Sequence, residues 1–298
     1  MRVGVVGATG FVGRALVSAL TARGDAVVAF SRDPVRARKT LPTVSEARPL
    51  EAITAEGVSD LDAVVNLAGE SVGAKRWSDE YKAAIRESRV LTTRRLVDAI
   101  GAAARRPQVL VNASAVGFYG PRGDEDVTEA TPPGDDFLAS VCRDWEREAE
   151  RVSGFGVREV RARLGVVLGD AGGSLEKMLL PFKMFVGGPV GDGRQWFPWV
   201  HLDDVVGAIV WALDHPTLRG AVNVTSPEPL RFRDFSAALG RRLHRPSWLP
   251  VPAFALRLAM GQMAEVVVTG QRALPTALLA DGYSFKYSRI DDALAVAV

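Results

Sequence analysis

The run Val3-Gly4-Val5-Val6-Gly7-Ala8-Thr9-Gly10-Phe11-Val12-Gly13 at the start of the chain decides the fold. An apolar strand feeds straight into a turn with glycines three residues apart. The strand must turn sharply at Gly7, the bare backbone at Gly10 can approach a pyrophosphate, and Gly13 lets the next helix pack tightly on the sheet. The free N–H groups and positive dipole end of that helix then face the phosphates, with Thr9, Phe11 and Val12 in the same turn. Glycine-rich turns also close ordinary βα units, so the motif gains weight only from its surroundings. Val12, Leu16 and Leu20 recur at four-residue spacing, Gly24 stops the helix, and Ala26 to Phe30 supply a second apolar run, as a βαβ unit requires.

The end of the second strand reads out the cofactor. An acidic residue there would hold the ribose hydroxyls of NAD, but the chain carries Ser31-Arg32. A guanidinium and a hydroxyl suit a 2′-phosphate, because Arg pairs with phosphate through charge-assisted, often bidentate hydrogen bonds. NADP(H) is therefore the expected cofactor. The competing readings are a surface arginine among the basic residues of Arg32 to Lys39 and a ribose acid at Asp33.

Composition sets the outer limits. The 298 residues are 47% hydrophobic and 24% charged with a formal net charge of +2, an ordinary globular balance that supplies a full core. That charge makes no electrostatic case for nucleic acid or an anionic membrane, and the clusters Arg36 to Lys39 and Arg241-Arg242 read as solvated faces. One cysteine, Cys142, rules out an intrachain disulfide and suits a reducing compartment. The chain opens straight into a strand, no apolar stretch is long enough to span a bilayer, and the cytoplasm is the expected location. The partner expected is a small-molecule substrate, with no nucleic acid and no membrane, in a monomer or homodimer.

Strand-like runs recur at Ala63 to Leu67, Val109 to Ala113 and Val157 to Val167, separated by helical segments, which predicts a parallel, doubly wound sheet. The longest helix is expected from Ser78 past Ile85, Leu96 and Ile100, ending before Pro107. After Gly169, the pairs Gly172-Gly173 and Gly187-Gly188, with Gly191 and Gly193, predict loops and short elements around Trp196, Phe197 and Trp199. His201-Leu202-Asp203-Asp204 then opens a helix over Val205 to Leu213, and Ala221 to Val224 reads as a further strand. The fold class is thus α/β, a Rossmann-type doubly wound parallel sheet with a smaller, mainly helical C-terminal domain on the substrate side. Residues 1–169 make the cofactor domain, with 200–225 returning to it, and 170–298 supply the substrate side.

Four segments carry a resemblance. They are the glycine turn, Asn66-Leu67-Ala68-Gly69-Glu70, Asn112-Ala113-Ser114-Ala115-Val116-Gly117-Phe118-Tyr119-Gly120, and Arg163-Leu164-Gly165-Val166-Val167-Leu168-Gly169. With Gly191-Asp192-Gly193-Arg194-Gln195 and Trp199-Val200-His201-Leu202-Asp203-Asp204, the chain resembles an atypical extended short-chain dehydrogenase/reductase. It is most similar to the epimerase-like branch, nucleoside-diphosphate-sugar epimerase-like, with its own C-terminal domain. The tail, through Gly270-Gln271-Arg272, Leu274-Pro275 and Gly282-Tyr283, fits that domain. The resemblance implies cofactor contacts at Leu67, Ala68, Gly69, Val167 and Arg89, the last toward the phosphates, and a substrate-domain hairpin between Gly191 and the returning helix.

It also implies a proton relay that this chain lacks. Extended members place a Ser or Thr four residues before the Tyr of Tyr-Gly, then a Tyr-x-x-x-Lys helix. Here Ala115 stands at the hydroxyl position, Leu138 at the tyrosine and Cys142 at the lysine, and no tyrosine or lysine occurs in 135–151. Leucine transfers no proton. Tyr119 and then Glu70 are the replacement candidates, the first competing with a packed aromatic and the second with an idle loop carboxylate. Gln195, Trp196, Trp199 and His201 are the expected pocket wall, an aromatic cluster that equally suits core. The three histidines have no metal-ligand spacing, and no metal is expected. The resulting expectation is an NADP(H)-dependent oxidoreductase or epimerase-like enzyme acting on a small polar metabolite. The alternative is a non-catalytic NADPH-binding regulator.

Overall fold

The computed structural model describes residues 1–170 and 172–298. Its central strand is β1 (Arg2–Val6), flanked in parallel by β2 (Ala26–Ser31) on one side and β4 (Ala63–Asn66) on the other. Outward from β2 lies β3 (Glu46–Pro49). Outward from β4 lie β5 (Val109–Ala115), β7 (Arg158–Leu164) and β11 (Gly220–Val224), giving the order β3-β2-β1-β4-β5-β7-β11, all parallel. A parallel sheet needs apolar cover on both faces, which is why its central strands β1, β2 and β4 read as nearly continuous apolar runs.

One face is covered by α1 (Phe11–Ala22) and α7 (Leu202–Asp214), which bring Leu16, Val17, Leu20, Val205 and Ile209 against Val3, Val5, Val65 and Val111. The other is covered by α4 (Asp79–Ala102), whose Leu96, Val97 and Ile100 meet Val28, Phe30, Val64 and Leu110. α5 (Phe137–Glu150) packs beside α4. Ser78 caps α4 by accepting a hydrogen bond from the Tyr81 N–H at 3.1 Å. Short elements fill the connections: α2 (Pro34–Thr40), α3 (Ala55–Val58), and β6 (Asp126–Val127), which pairs with β13 (Arg272–Ala273).

The C-terminal half has a core of its own. β8 (Val166–Leu168), α6 (Ser174–Lys183), β9 (Trp196–Phe197), β10 (Trp199–His201), β12 (Leu230–Arg231), α8 (Phe232–Leu243) and α12 (Ile290–Ala297) enclose Leu168, Phe182, Trp199, Phe235, Leu239 and Leu294. α9 (Ala253–Met260), α10 (Glu265–Val268) and α11 (Thr276–Ala280) complete the chain.

Two expectations are corrected here. The segment after Gly169, expected as loops and short elements, holds a ten-residue helix, α6; Leu175, Met178, Leu179 and Phe182 form its inward stripe despite Pro181 inside it. The expected hairpin does not form. The chain changes partner at Pro198, so that β9 pairs antiparallel with β12 and β10 pairs parallel with β8. The Pro198 carbonyl takes the Val166 N–H at 2.7 Å, and a proline without a donor is a natural place for that switch. No described helix is long and apolar enough to cross a membrane.

Candidate functional site

The glycine turn is built as its spacing requires. Gly7 has φ +80°, and a Cβ there would stand 2.8 Å from the Leu67 carbonyl carbon and oxygen. A side chain at Gly13 would collide with the Gly7 and Ala8 carbonyl oxygens, so the helix sits directly on the turn. Gly10 is the N-cap of α1 without a capping side chain, and no acidic residue occupies the first turn. The helix therefore presents uncapped N–H groups at the C-terminal edge of the sheet, where open α/β folds bind ligands. Phe11 reaches across to Gly169 and Gly173, whose Cβ positions lie 3.0 and 2.7 Å from its ring, and so links the turn to the start of α6.

At the end of β2, Arg32 is exposed with no partner among the described residues. Ser31 Oγ accepts the Asp33 N–H at 3.2 Å, and Asp33 caps α2 by accepting the Arg36 N–H at 2.9 Å. Asp33 therefore has a helix to begin, which explains its presence without a ribose.

Past β4 the chain crosses the sheet edge through Leu67, Ala68 and Gly69. This loop is pinned from beneath by buried polar groups. Asn66 Nδ2 donates to Thr93 Oγ1 (2.9 Å) and Asn112 Oδ1 (2.7 Å), its Oδ1 accepts the Ala68 N–H (3.2 Å), and Trp145 Nε1 donates to Thr93 Oγ1 (2.9 Å). Arg89 lies under Gly69, its Cζ 2.8 Å from where a Cβ would be. Its Nη1 donates to the carbonyls of Glu70 (2.9 Å) and Ile85 (3.0 Å), and its guanidinium sits 5.2 Å from the Trp145 ring centre. Glu70 is half-buried, and its N–H donates to Ser88 Oγ at 2.9 Å.

Where the relay is expected, Leu138 faces Gly117 and Cys142 is buried. Burial first, then the neighbouring Glu146 carboxylate, pushes the Cys142 thiol up to about 12, so it stays protonated and unreactive. Val167 lies in β8, half-buried.

Tyr119 is corrected by the structure. It is wholly buried, and its hydroxyl donates to Asn223 Oδ1 (2.6 Å) while accepting from Arg163 Nη1 (2.8 Å). Arg163 holds Glu146 through two bonds of 2.8 Å, and Ser114 Oγ adds a third to the same carboxylate at 2.6 Å. Burial drives the Tyr119 hydroxyl up to about 12, against the pull of Arg163. It is the end of a structural network. Trp199 and His201 are likewise interior, at 1% and 5% exposure. His201 caps α7, its Nδ1 accepting the Asp203 N–H at 3.1 Å. Trp196 is half-buried and stacked by Arg231 at 3.8 Å, and Gln195 donates to the Val190 and Val267 carbonyls. The expected pocket wall thus divides into two enclosed residues and two at the periphery of the second core.

Sequence reasoning missed Asn66, Thr93, Asn112, Glu146 and Arg163. The signal available was a polar residue closing each apolar run, Val64-Val65-Asn66 and Leu110-Val111-Asn112. Among the described residues no cluster of His, Cys, Asp and Glu could hold a metal.

The glycine cradle on a doubly wound sheet with a C-terminal cap defines a nucleotide-cofactor protein of the extended dehydrogenase type. Residues 3–225 match the NAD dependent epimerase/dehydratase family, and 251–297 match a domain of unknown function. The chain belongs to that family. The epimerase family protein SDR39U1 homolog, chloroplastic, of Arabidopsis thaliana is 44% identical over 99% of this chain and 86% of its own length. Epimerase family protein YfhF of Bacillus subtilis is 37% identical over 99% of this chain and 97% of its own. The crystal structure of the human epimerase family protein SDR39U1 (isoform 2) with NADPH superimposes with a TM-score of 0.92 at 35% identity, covering 100% of this chain and 99% of that one.

Proposed function

We propose that this chain binds NADPH across the glycine turn and acts as an NADP(H)-dependent oxidoreductase or epimerase-like enzyme on a small polar metabolite, without the Ser-Tyr-Lys relay. The observation that carries the reading is the pairing of the uncapped Gly7-Gly10-Gly13 turn with an unpartnered Arg32 at the end of β2. The NADPH in the human relative's structure supports the same choice of cofactor. Thr9, Gly10, Phe11 and Val12 would border the pyrophosphate, Ser31 and Arg32 the 2′-phosphate, and Leu67 to Gly69 with Val167 the far half. The cofactor, when bound, supplies or accepts the hydride. Residues 1–169 with 200–225 form the cofactor side and 170–298 the substrate side, in a cytoplasmic monomer or homodimer.

The proton that accompanies hydride transfer has no carrier at Ala115, Leu138, Cys142 or Tyr119. Glu70 is the remaining proton-carrying candidate at this edge. The same absence favours a second reading, an NADPH-binding regulator that transfers no hydride. Fluorescence titration with NADPH and NADH tests the binding. We expect a ten- to hundredfold preference for NADPH, the size of one charge-assisted hydrogen bond, and its loss in Arg32→Ala. Equal affinities would overturn the assignment. A panel of small carbonyl compounds and sugar nucleotides, followed by NADPH absorbance, separates enzyme from regulator; turnover lost in Glu70→Gln supports the enzyme.

A further inference from the structure

Large apolar side chains gather on one edge of the C-terminal half. Met184 and Phe185 just after α6, Trp248 and Leu249 ahead of α9, and Phe254 and Leu258 on α9 all stand open to solvent, Trp248, Phe254 and Leu258 at 76%, 74% and 78% exposure. Single exposed apolar residues are ordinary, but a gathering of large ones marks an interaction surface. The segments that carry them lie side by side. The Val251 N–H donates to the Pro189 carbonyl at 2.8 Å, the Gly191 N–H donates to the Val251 carbonyl at 2.9 Å, and the Arg245 guanidinium stacks 4.3 Å from the Phe185 ring centre. A side chain at Gly188 would strike the Leu249 carbonyl, so the two segments touch there as well. Phe254 and Leu258, one turn apart, share a face of α9.

The charge on this edge has one sign. Residues 180–190 and 240–258 contain Lys183, Arg241, Arg242, Arg245 and Arg257 and not one Asp or Glu, an asymmetry that the net charge of +2 averages away. Acidic residues return beyond it, at Glu176, Asp192 and Glu265. Arg241 pairs with Asp291, Arg257 with Glu265, and Arg242 donates to the carbonyls of Ala295 and Val298. Lys183 and Arg245 meet no carboxylate among the described residues, and the Trp248 indole N–H, between Pro246 and Pro250, has no hydrogen-bond partner among them. We infer that this edge seats the chain on an anionic lipid bilayer. Trp248, Phe254 and Leu258 enter the boundary between headgroups and acyl chains, where an amphipathic indole is at home, and the lysine and arginines meet lipid phosphates. A second copy is a poor occupant, because two such edges would bring like charges together. A protein partner fits less well too, since protein interfaces deplete lysine at their centre. The inference goes beyond the cofactor reading and does not depend on it.

The test is flotation of the full chain with vesicles of phosphatidylcholine alone and of phosphatidylcholine carrying about one-third phosphatidylglycerol. Binding to the anionic vesicles should be about tenfold tighter or more, and the preference should vanish at high salt. Trp248→Ser with Phe254→Ser should weaken anionic-vesicle binding about tenfold or more while leaving the melting temperature unchanged, because both side chains are already in solvent. Lys183→Gln with Arg245→Gln should weaken it about fivefold for each charge removed. Equal binding to both vesicles, binding that survives both pairs of substitutions, or a parent that binds neither vesicle overturns the inference. A parent that ignores vesicles but self-associates in sedimentation, with the association lost in Trp248→Ser, gives the edge to a second copy and overturns it equally.

Discussion

Glu159 shows what a single buried acid does to stability. It is 5% exposed on β7, and Arg161 Nε approaches its Oε1 to 2.6 Å in an ion-pair contact that falls short of hydrogen-bond geometry. Burial outweighs that partner and pushes the carboxyl from 4.5 up to about 7. The folded protein therefore holds a proton that the unfolded chain releases. The stability this group contributes is complete below about pH 4.5 and is lost as pH rises through 7. Glu159→Gln should thus match the parent in denaturant unfolding at pH 4.5 and exceed it at pH 8 by about 1–3 kcal/mol; an advantage that shrinks with rising pH would contradict this. Glu146 is a second buried acid, its oxygens held by Arg163 and Ser114. Glu146→Ala strands the Arg163 charge and should cost about 3–5 kcal/mol in the same assay.

At the scale of elements, α4 is where a local rule and a functional one meet. Ser78→Ala removes its cap and should cost about 1 kcal/mol, read as a lower denaturant midpoint at unchanged slope. The doubly wound core was legible because β1, β4 and β5 carry the apolar runs Val3 to Val6, Ala63 to Val65 and Val109 to Val111, and α4 announced both its cap and its end. α6 was not, because Gly172-Gly173, Pro181 and Gly187-Gly188 look like loop punctuation, although Leu175, Met178, Leu179 and Phe182 keep helical spacing. The glycine turn was readable from its spacing together with the apolar strand before it and the helix and second strand after it. Tyr119 was misplaced for a different reason: strand position says which edge a residue nears, while the partners that seal it, Asn223 on β11 and Arg163 on β7, lie 104 and 44 residues away.

Across the whole molecule, the C-terminal region is tied to the sheet and to α7 by buried and part-buried polar bonds. Glu129 Oε1 accepts the N–H groups of both Asn223 and Ala277, each at 3.0 Å. Asp204 accepts those of Lys286 (2.6 Å) and Tyr287 (3.0 Å), and Thr225 Oγ1 donates to Ala273 O at 3.0 Å. Residues 166–168 and 290–297 also share one apolar core. Calorimetry should accordingly show one cooperative transition with matching calorimetric and van't Hoff enthalpies, and two separated transitions would show that the halves unfold independently. The solitary thiol offers a clock for that event. Cys142, on α5, is shut in against Val116, Phe118 and Tyr119 and stays protonated, so an alkylating reagent can meet a thiolate only after the chain has opened around it. Its labelling rate would count excursions out of the native state, and a cofactor that binds only the closed form would slow the count in proportion to its occupancy.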